Sequence, residues 1–237
     1  MPWGIRRIEL EKNQTYQYVH TFNKIGSLGA YSCLFALIPE LDIGFSVLAA
    51  GDLPAGITNA IAETLTQTYI PTLSYIARAQ AKATYAGHYR HASLLSNTTA
   101  STSNTTSSPP LNSSLTITVD PTAPGLNVTA WISNSTLMAP VAVAITANIT
   151  PSYLPKIQPS VRLYPTGLEE RLPDGGKKVA FKAVFEDLSL PESSGGFVTD
   201  CATWVGVTAV VYGSMPLDLF VFEFGPDGAV RRWCVKG

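Results

Sequence analysis

Two apolar runs of strand length, Tyr31–Ile38 and Ile43–Ala50, constrain the fold of this chain more than any other feature. The segment Pro39–Asp42 separates them, and its proline and carboxylates favour a turn. Before them, Thr15–Asn23 alternates Tyr and Val with polar residues, and Gly26–Gly29 provides a second turn. We therefore expect three antiparallel strands in this part of the chain.

The apolar period changes at Pro54. Beyond it, apolar residues recur at three- and four-residue steps, which predicts an amphipathic helix that packs on the sheet, kinks near Pro71 and ends before Gly87. The predicted apolar face consists of Ile57, Ile61, Leu65, Thr68, Tyr69, Leu73, Ile76 and Ala77. A sheet with one covering helix follows from these two patterns.

The second half of the chain is a succession of short β-prone segments. They are Leu115–Val119, Leu126–Ile132, Val141–Ala147, Val161–Tyr164, Val179–Glu186, Thr203–Val211, Leu217–Phe224 and Ala229–Val235. Turn signals at Pro173–Gly176 and Gly225–Gly228 separate these segments, and the second predicts a hairpin. The pattern favours an antiparallel barrel or sandwich, and the whole chain is then α+β.

Six aromatic side chains are candidates for the interior of this β-rich part. They are Trp131, Phe181, Phe185, Trp204, Phe220 and Phe222. They either fill the core, as side chains do in small barrels, or line a ligand pocket.

The segment His20–Ser32 contains Lys24, Ile25, Gly26 and Ser27 in succession. It resembles the Lys-Thr-Gly element of serine β-lactamases and penicillin-binding proteins. In that family the lysine sets the local field, and the N–H of the residue after the glycine donates to the oxyanion. The resemblance implies that Lys24, Gly26 and Ser27 belong to a catalytic site, whereas Ile25 departs from the pattern because it cannot donate a hydrogen bond.

Further stretches resemble secreted β-lactamase-related proteins of fungi, whose C-terminal domain looks lipocalin-like. These stretches are Met1–Arg6, Leu37–Phe45, Val161–Gly167, Tyr212–Gly213 and Leu217–Phe222. Tyr85–Tyr89 resembles the opening strand of that second domain. The resemblance implies a β-lactamase/transpeptidase-like remnant over residues 1–84 and a β-rich domain over residues 85–237.

The nucleophile of that family is absent from this sequence. No lysine has a serine three residues before it, and no tyrosine is followed two residues later by asparagine, so Ser-x-x-Lys and Tyr-x-Asn are both missing. We expect a C-terminal fragment of a serine hydrolase for amide or ester acyl transfer, truncated and inactive by itself. The alternative is a non-catalytic secreted binding or structural glycoprotein that uses the β-barrel domain.

The asparagines indicate a secreted glycoprotein. Seven lie in Asn-x-Ser/Thr sequons: Asn13, Asn97, Asn104, Asn112, Asn127, Asn134 and Asn148. Residues 96–114 form a Ser/Thr/Asn-rich tract that predicts a disordered loop. The N-terminus has no signal-peptide pattern, and we expect that the signal was lost with an upstream half.

The cysteines fit an extracellular protein. Cys201 and Cys234 lie on predicted neighbouring strands, so a disulfide between them could close a loop of about 33 residues. Cys33 lies in a predicted apolar strand. We expect it to be a free cysteine that is buried there like a small hydrophobic residue.

Other partners are not indicated. The histidines lack metal-ligand spacing, so we expect no metal and no cofactor. A net charge of −1 with scattered basic residues argues against nucleic acid, and Pro39, Glu40 and Asp42 interrupt the apolar stretch that could otherwise span a membrane. The expected partner is a small-molecule amide or ester substrate in full-length relatives, and the oligomeric state stays open.

Overall fold

A computed structural model describes residues 3–9, 18–90, 112–120, 123–146, 156–189 and 206–235. The described residues are mostly β with two α-helices, which confirms a mixed α+β class. The chain divides into two compact units, residues 1–80 with 121–124, and residues 81–120 with 125–237. The predicted boundary at residue 84 and the family labels of the two sides stay predictions.

The first unit contains a four-stranded antiparallel sheet in the order β1-β2-β3-β4. The strands are β1 Gly4–Glu9, β2 Tyr18–Leu28, β3 Tyr31–Ile38 and β4 Ile43–Ala50, with a short 3-10 helix at Pro39–Leu41. The three predicted strands are confirmed, and β1 is an additional one. The predicted turn at Gly26–Gly29 is displaced, because β2 continues to Leu28 and the chain reverses at Gly29, whose φ of 58° is a conformation that glycine adopts readily.

Helix α1 spans Pro54–Tyr85 and includes Pro71, as predicted. Its buried face is not the predicted one. The buried residues are Pro54, Thr58, Ala62 and Ile70, whereas Ile57 and Ile61 on the predicted face are exposed. Thr58 and Ala62 are small, and Ala62 clusters with Leu34 and Ala36 of β3.

The second unit contains an eight-stranded antiparallel sheet, nearly closed and barrel-like, in the order β14-β13-β10-β9-β7-β6-β5, with β8 paired to β7. Its strands are β5 Gly87–Arg90, β6 Ser114–Thr118, β7 Leu126–Ser133, β8 Thr136–Leu137, β9 Pro159–Arg171, β10 Lys177–Asp187, β13 Leu219–Phe224 and β14 Val230–Val235. A separate ribbon pairs β11 Val211–Tyr212 with β12 Met215–Pro216.

An aromatic cluster fills the larger sheet. Five of the six predicted interior aromatics are buried, namely Trp131, Phe181, Phe185, Phe220 and Phe222, and Trp204 lies outside the described residues. Phe181 and Phe222 pack edge-on with 5.5 Å between ring centroids, whereas Trp131 stacks on Phe185. Core packing of the five is confirmed.

Both predicted turns of this sheet are confirmed, and each joins two antiparallel strands, as predicted for Gly225–Gly228. The backbone N–H of Gly176 donates to Asp174 Oδ1 at 3.0 Å, and the N–H of Ala229 donates to Asp227 Oδ1 at 3.2 Å. Each aspartate thus satisfies a backbone donor inside its own turn, which is why this residue type marks the reversal.

Three predictions for this half need correction. The segment Val141–Ala147, predicted as a strand, belongs largely to helix α2, Met138–Thr146. This helix buries Ala142 and Val143 in the core of the larger sheet, so burial of its apolar side chains outweighed the strand preference of its β-branched residues. Of the predicted strand Thr203–Val211, residues 203–205 lie outside the described ones, residues 206–208 form a turn, and of its described residues only Val211 enters a strand, β11. Of the predicted loop 96–114, residues up to 111 lie outside the described ones, and Ser114 is buried in β6.

Candidate functional site

Strand β2 positions the three residues that the Lys-Thr-Gly resemblance indicates. Its pairing with β3 places Lys24 opposite Phe35, Gly26 opposite Cys33 and Ser27 opposite Ser32. Side chains alternate along a strand. Lys24 and Gly26 therefore share one face of the sheet, and the Ser27 side chain lies on the other.

The backbone of Ser27 points away from β3. A two-residue loop at Gly29 joins β2 to β3, so Leu28 and Tyr31 beside the loop exchange ladder hydrogen bonds, and every second residue of β2 does so after that. Ser27 falls between these positions, and its N–H is directed to the opposite edge. Because β1 pairs with β2 only from Tyr18 to Asn23, no described strand covers that part of the edge.

Hydroxyl contacts fix the Ser27 side chain. Its Oγ lies 3.1 Å from Oγ of Ser32, and the Ser32 hydroxyl also lies 3.4 Å from the carbonyl oxygen of Gly26, to which it donates. Ser32 is buried. This small network ties Gly26 and Ser27 to β3 through side chains, in addition to the ladder hydrogen bonds that Gly26 makes.

The face that carries Lys24 is open and apolar. Lys24 and Cys33 are exposed, and Phe35 is 40% exposed and packs against Trp3 at 6.1 Å between ring centroids. A Cβ built on Gly26 would lie 3.0 Å from Cys33 Sγ, so a larger residue would push that thiol aside. The exposure of Cys33 corrects the expectation of a buried cysteine.

Hydrogen bonds join His20 of the same strand to Glu40 of the 3-10 helix. Glu40 Oε1 accepts from the backbone N–H of His20 at 3.1 Å and lies 3.0 Å from His20 Nδ1. Burial by itself would raise the pKa of Glu40, but hydrogen bonds from the backbone of Glu40 and of His20, and then from the His20 ring, hold the pKa below its ordinary value. Glu40 thus remains a carboxylate that anchors the end of β3 to β2.

A cavity of about 590 Å³ lies on the opposite face of the sheet, between β2, β3 and α1. Its walls include Ile25 from β2 and Asn59, Glu63 and Gln67 from α1. Sequence reasoning missed these polar residues, although their spacing of four is a polar stripe that can be read from the sequence. Gln67 Nε2 donates to Glu63 Oε1 at 2.7 Å, so part of that stripe is internally paired.

Comparison with protein families decides the relationship. The family described as "Beta-lactamase-like-like, C-terminal domain" matches residues 77–234. The chain belongs to this family. No curated protein and no solved structure matches it.

The family match makes this a β-lactamase-related protein, and it covers the larger sheet from the end of α1 to β14. Strand β2 lies before the matched range. The assignment of Lys24, Gly26 and Ser27 therefore depends on their own motif and on the strand geometry.

The structure describes some of the other predicted sites of this β-lactamase-related chain, namely some of its sequons and one cysteine of the predicted disulfide. Among the described residues, Asn112 and Asn134 are exposed and Asn127 is half-buried on β7, while Asn13, Asn97, Asn104 and Asn148 lie outside them. Cys234 is on β14 with a free thiol, and Cys201 lies outside the described residues, so the pairing stays a prediction.

The described residues contain no helix of the length and apolarity that a membrane crossing requires. They also contain no group of three or more His, Cys, Asp and Glu side chains arranged to hold a metal ion.

Proposed function

We propose that this chain is the C-terminal part of a β-lactamase-related serine hydrolase that transfers an acyl group from an amide or ester. Strand β2 forms one wall of the acyl pocket, where Lys24 supplies positive charge and the N–H of Ser27 stabilises the oxyanion. The observation that carries the proposal is the direction of the Ser27 N–H, toward the edge that β1 leaves uncovered. One such donor contributes about 10²–10³ in rate.

The chain by itself carries out no covalent step in this proposal. Its sequence has no Ser-x-x-Lys, so it supplies no hydroxyl next to a lysine that could take the proton. Ile25 also removes the hydroxyl that the family places beside the substrate. What the chain contributes is a wall of the pocket and one oxyanion donor.

Acylation assays test the missing nucleophile. With a fluorescent penicillin and with a nitrophenyl ester, we expect no burst of product and no mass increase of the intact chain. A stoichiometric covalent adduct would show that another side chain acts as nucleophile, and the proposal would be wrong.

Amide hydrogen exchange tests the oxyanion donor separately. The N–H of Gly26 belongs to the ladder with β3, whereas the N–H of Ser27 points to the uncovered edge. We expect the Ser27 amide to exchange much faster than the Gly26 amide in NMR experiments. Equal protection of both amides would show that the Ser27 N–H is not free to act as an oxyanion donor, and this part of the proposal would be wrong.

A second candidate function is that of a secreted fungal glycoprotein that binds a ligand through its lipocalin-like β-domain without catalysis. The observation that favours it is the exposure of two sequons, Asn112 and Asn134, at one end of the larger sheet. The backbone N–H of Asn134 donates to Ser113 Oγ at 3.0 Å, so the two sequons lie on adjoining segments.

Expression in a eukaryotic secretory host tests the glycoprotein assignment. We expect each of Asn112→Gln and Asn134→Gln to lose the mass of one glycan, and the matched control Asn59→Gln, outside any sequon, to lose none. Medium that contains the chain without a glycan at either site would contradict this assignment.

A further inference from the structure

The two edge strands of the larger sheet face each other across a cleft. Among the described residues, β5 pairs only with β6 and β14 only with β13, so these strands end the sheet. Residues from both edges line one cavity of about 760 Å³. The cleft, defined here as this cavity between β5 and β14, is therefore the seam where the barrel-like sheet fails to close.

The floor of the cleft is aromatic and apolar. Trp131 is buried and stacks on Phe185 with 6.2 Å between ring centroids. Trp233 is half-buried, and Met138 and Leu217 also line the cavity. Because these side chains pack against the main core, the floor is a fixed surface rather than a set of loose chains.

The mouth of the cleft is basic. His88 and Arg90 of β5 and Arg231 and Arg232 of β14 contribute to the lining, and no Asp or Glu occurs among its described residues. Arg231 is partly neutralised outside the cleft, since its Nη1 lies 3.3 Å from Asp174 Oδ2. Arg90 and Arg232 carry most of the remaining positive charge.

A hydrogen-bond chain orients Arg90. Its Nε donates to His88 Nε2 at 2.8 Å, so the other ring nitrogen, Nδ1, carries the proton and donates to Thr116 Oγ1, also at 2.8 Å. The bond uses one of the five guanidinium donors, and the Nη groups stay available for an acceptor. Across the seam, Arg232 is exposed, and the β13 residue opposite it in the backbone register is Glu223, with which it forms no ion pair among the described contacts.

We propose that this cleft binds a free monocarboxylate with an apolar tail, of the size of a medium-chain fatty acid. Arg90 and Arg232 hold the carboxylate, for which a guanidinium fork is the matching donor. The tail lies on the half-buried side chains of Trp233, Met138 and Leu217. The cavity volume falls within the range of about 300–1,000 Å³ that is usual for small-molecule sites. The larger sheet is filled by its aromatic core, so the seam is the place where such a ligand can enter.

The inference deepens the binding function proposed second and does not depend on acyl transfer. The glycan assay and the ligand assay measure different residues. If the ligand does not bind, the proposal of a secreted glycoprotein is unaffected. If the chain carries no glycans, the proposal of a ligand in the cleft is unaffected.

Titration calorimetry with dodecanoate below its micellar concentration tests the proposal. We expect saturable one-to-one binding, at least about tenfold tighter than that of dodecanol or of dodecyltrimethylammonium, because neither of these can accept the charge-assisted hydrogen bonds of the two guanidinium groups as a carboxylate does. Equal affinity for dodecanoate and dodecanol would overturn the role of the basic mouth.

Variants assign the binding to the cleft. Arg90→Gln with Arg232→Gln should weaken dodecanoate binding by at least about tenfold and leave dodecanol binding unchanged. The matched control is Arg171→Gln, an exposed arginine on β9 outside the lining, which should leave the affinity unchanged. Circular dichroism melts check that each variant folds, and undiminished dodecanoate binding by the folded double variant would overturn the proposal.

Vesicles distinguish the source of the ligand. A phosphatidylglycerol bilayer presents the same combination of an anion and apolar chains at a membrane surface. Co-sedimentation with such vesicles in the absence of any dodecanoate binding would mean that the cleft recognises a membrane, and the proposal of a free monocarboxylate would be wrong.

Discussion

The two units of this chain place apolar side chains very differently. In the larger unit, one continuous cluster buries Phe220, Phe222 and their neighbours. In the smaller unit, the described residues form two clusters of three buried side chains each, while Phe35 is 40% and Leu48 is 78% exposed. A sheet that curls on itself covers its own apolar face, whereas a flat sheet with a helix on one side leaves the other face bare.

The largest effect should come from the core of the larger unit. Phe222 is fully buried and contacts Tyr85, Tyr89 and Phe181. Phe222→Ala leaves a cavity among these rings and should lower the free energy of unfolding by about 3–5 kcal/mol in urea titrations. The comparison variant is Phe35→Ala in the smaller unit, which should lower it by less than about 1 kcal/mol. Equal losses would mean that both units bury aromatic rings to the same extent.

A buried ion pair of the larger unit should give the next effect. Asp218 is fully buried, accepts from the backbone N–H of Thr208, and lies 2.7 Å from Lys182 Nζ. Lys182→Met leaves the carboxylate buried without its cation and should cost about 3 kcal/mol by thermal or urea unfolding.

Two controls separate pairing from simple loss of a charge. In the exposed pair of Lys177 with Glu169, Lys177→Met should cost less than about 1 kcal/mol. The double variant Lys182→Met with Asp218→Asn should regain part of the loss, since no unpaired charge remains. If Lys182→Met costs no more than Lys177→Met, the buried carboxylate does not depend on its cation.

Sequence patterns predicted the strands of both units better than the helix surfaces. Strands with alternating residues and aspartate-containing turns were found, because both signals are local. The buried face of α1 was not found, since the sheet accepts small residues such as Thr58 and Ala62 in preference to Ile57 and Ile61. Helix α2 was missed because its apolar run resembles a buried strand in a single sequence.

The candidate sites differ in the same way. Lys24, Gly26 and Ser27 are neighbours in the sequence, so a motif could indicate them before any fold was known. The cleft joins Arg90 to Arg232, and only the order of the strands brings them to one seam. The sequence offers the pair Arg231–Arg232 before Trp233, but no local pattern in it indicates that Arg90 lies across the seam.

The bare face of the smaller sheet can be tested by its contact with water. Leu48 is opposite Cys33 on that face. Because its side chain is largely exposed, Leu48→Lys should change the free energy of unfolding by no more than about 0.5 kcal/mol and should reduce binding of a hydrophobic dye. Val47→Lys, at the buried neighbour, is the matched control and should destabilise strongly. A large loss of stability in Leu48→Lys would show that this face is covered in solution.

The pair of Glu40 with His20 should give the smallest effect, and its pH dependence shows how firmly the smaller sheet is held. The folded-state pKa of Glu40 is lowered, because its hydrogen bonds outweigh burial. The contribution of the carboxylate is therefore complete above its unfolded-state pKa and is lost as the pH falls through the lower, folded-state pKa. Both side chains are over 40% exposed, so solvent screening keeps this contribution below about 1 kcal/mol. The free energy of unfolding of Glu40→Gln, measured in urea at a series of pH values, should differ from that of the original chain at neutral pH and converge with it in acid. The control is Asp52→Asn, at an exposed carboxylate of the same unit. A difference that stays constant into acid would mean that Glu40 acts through packing and not through its charge.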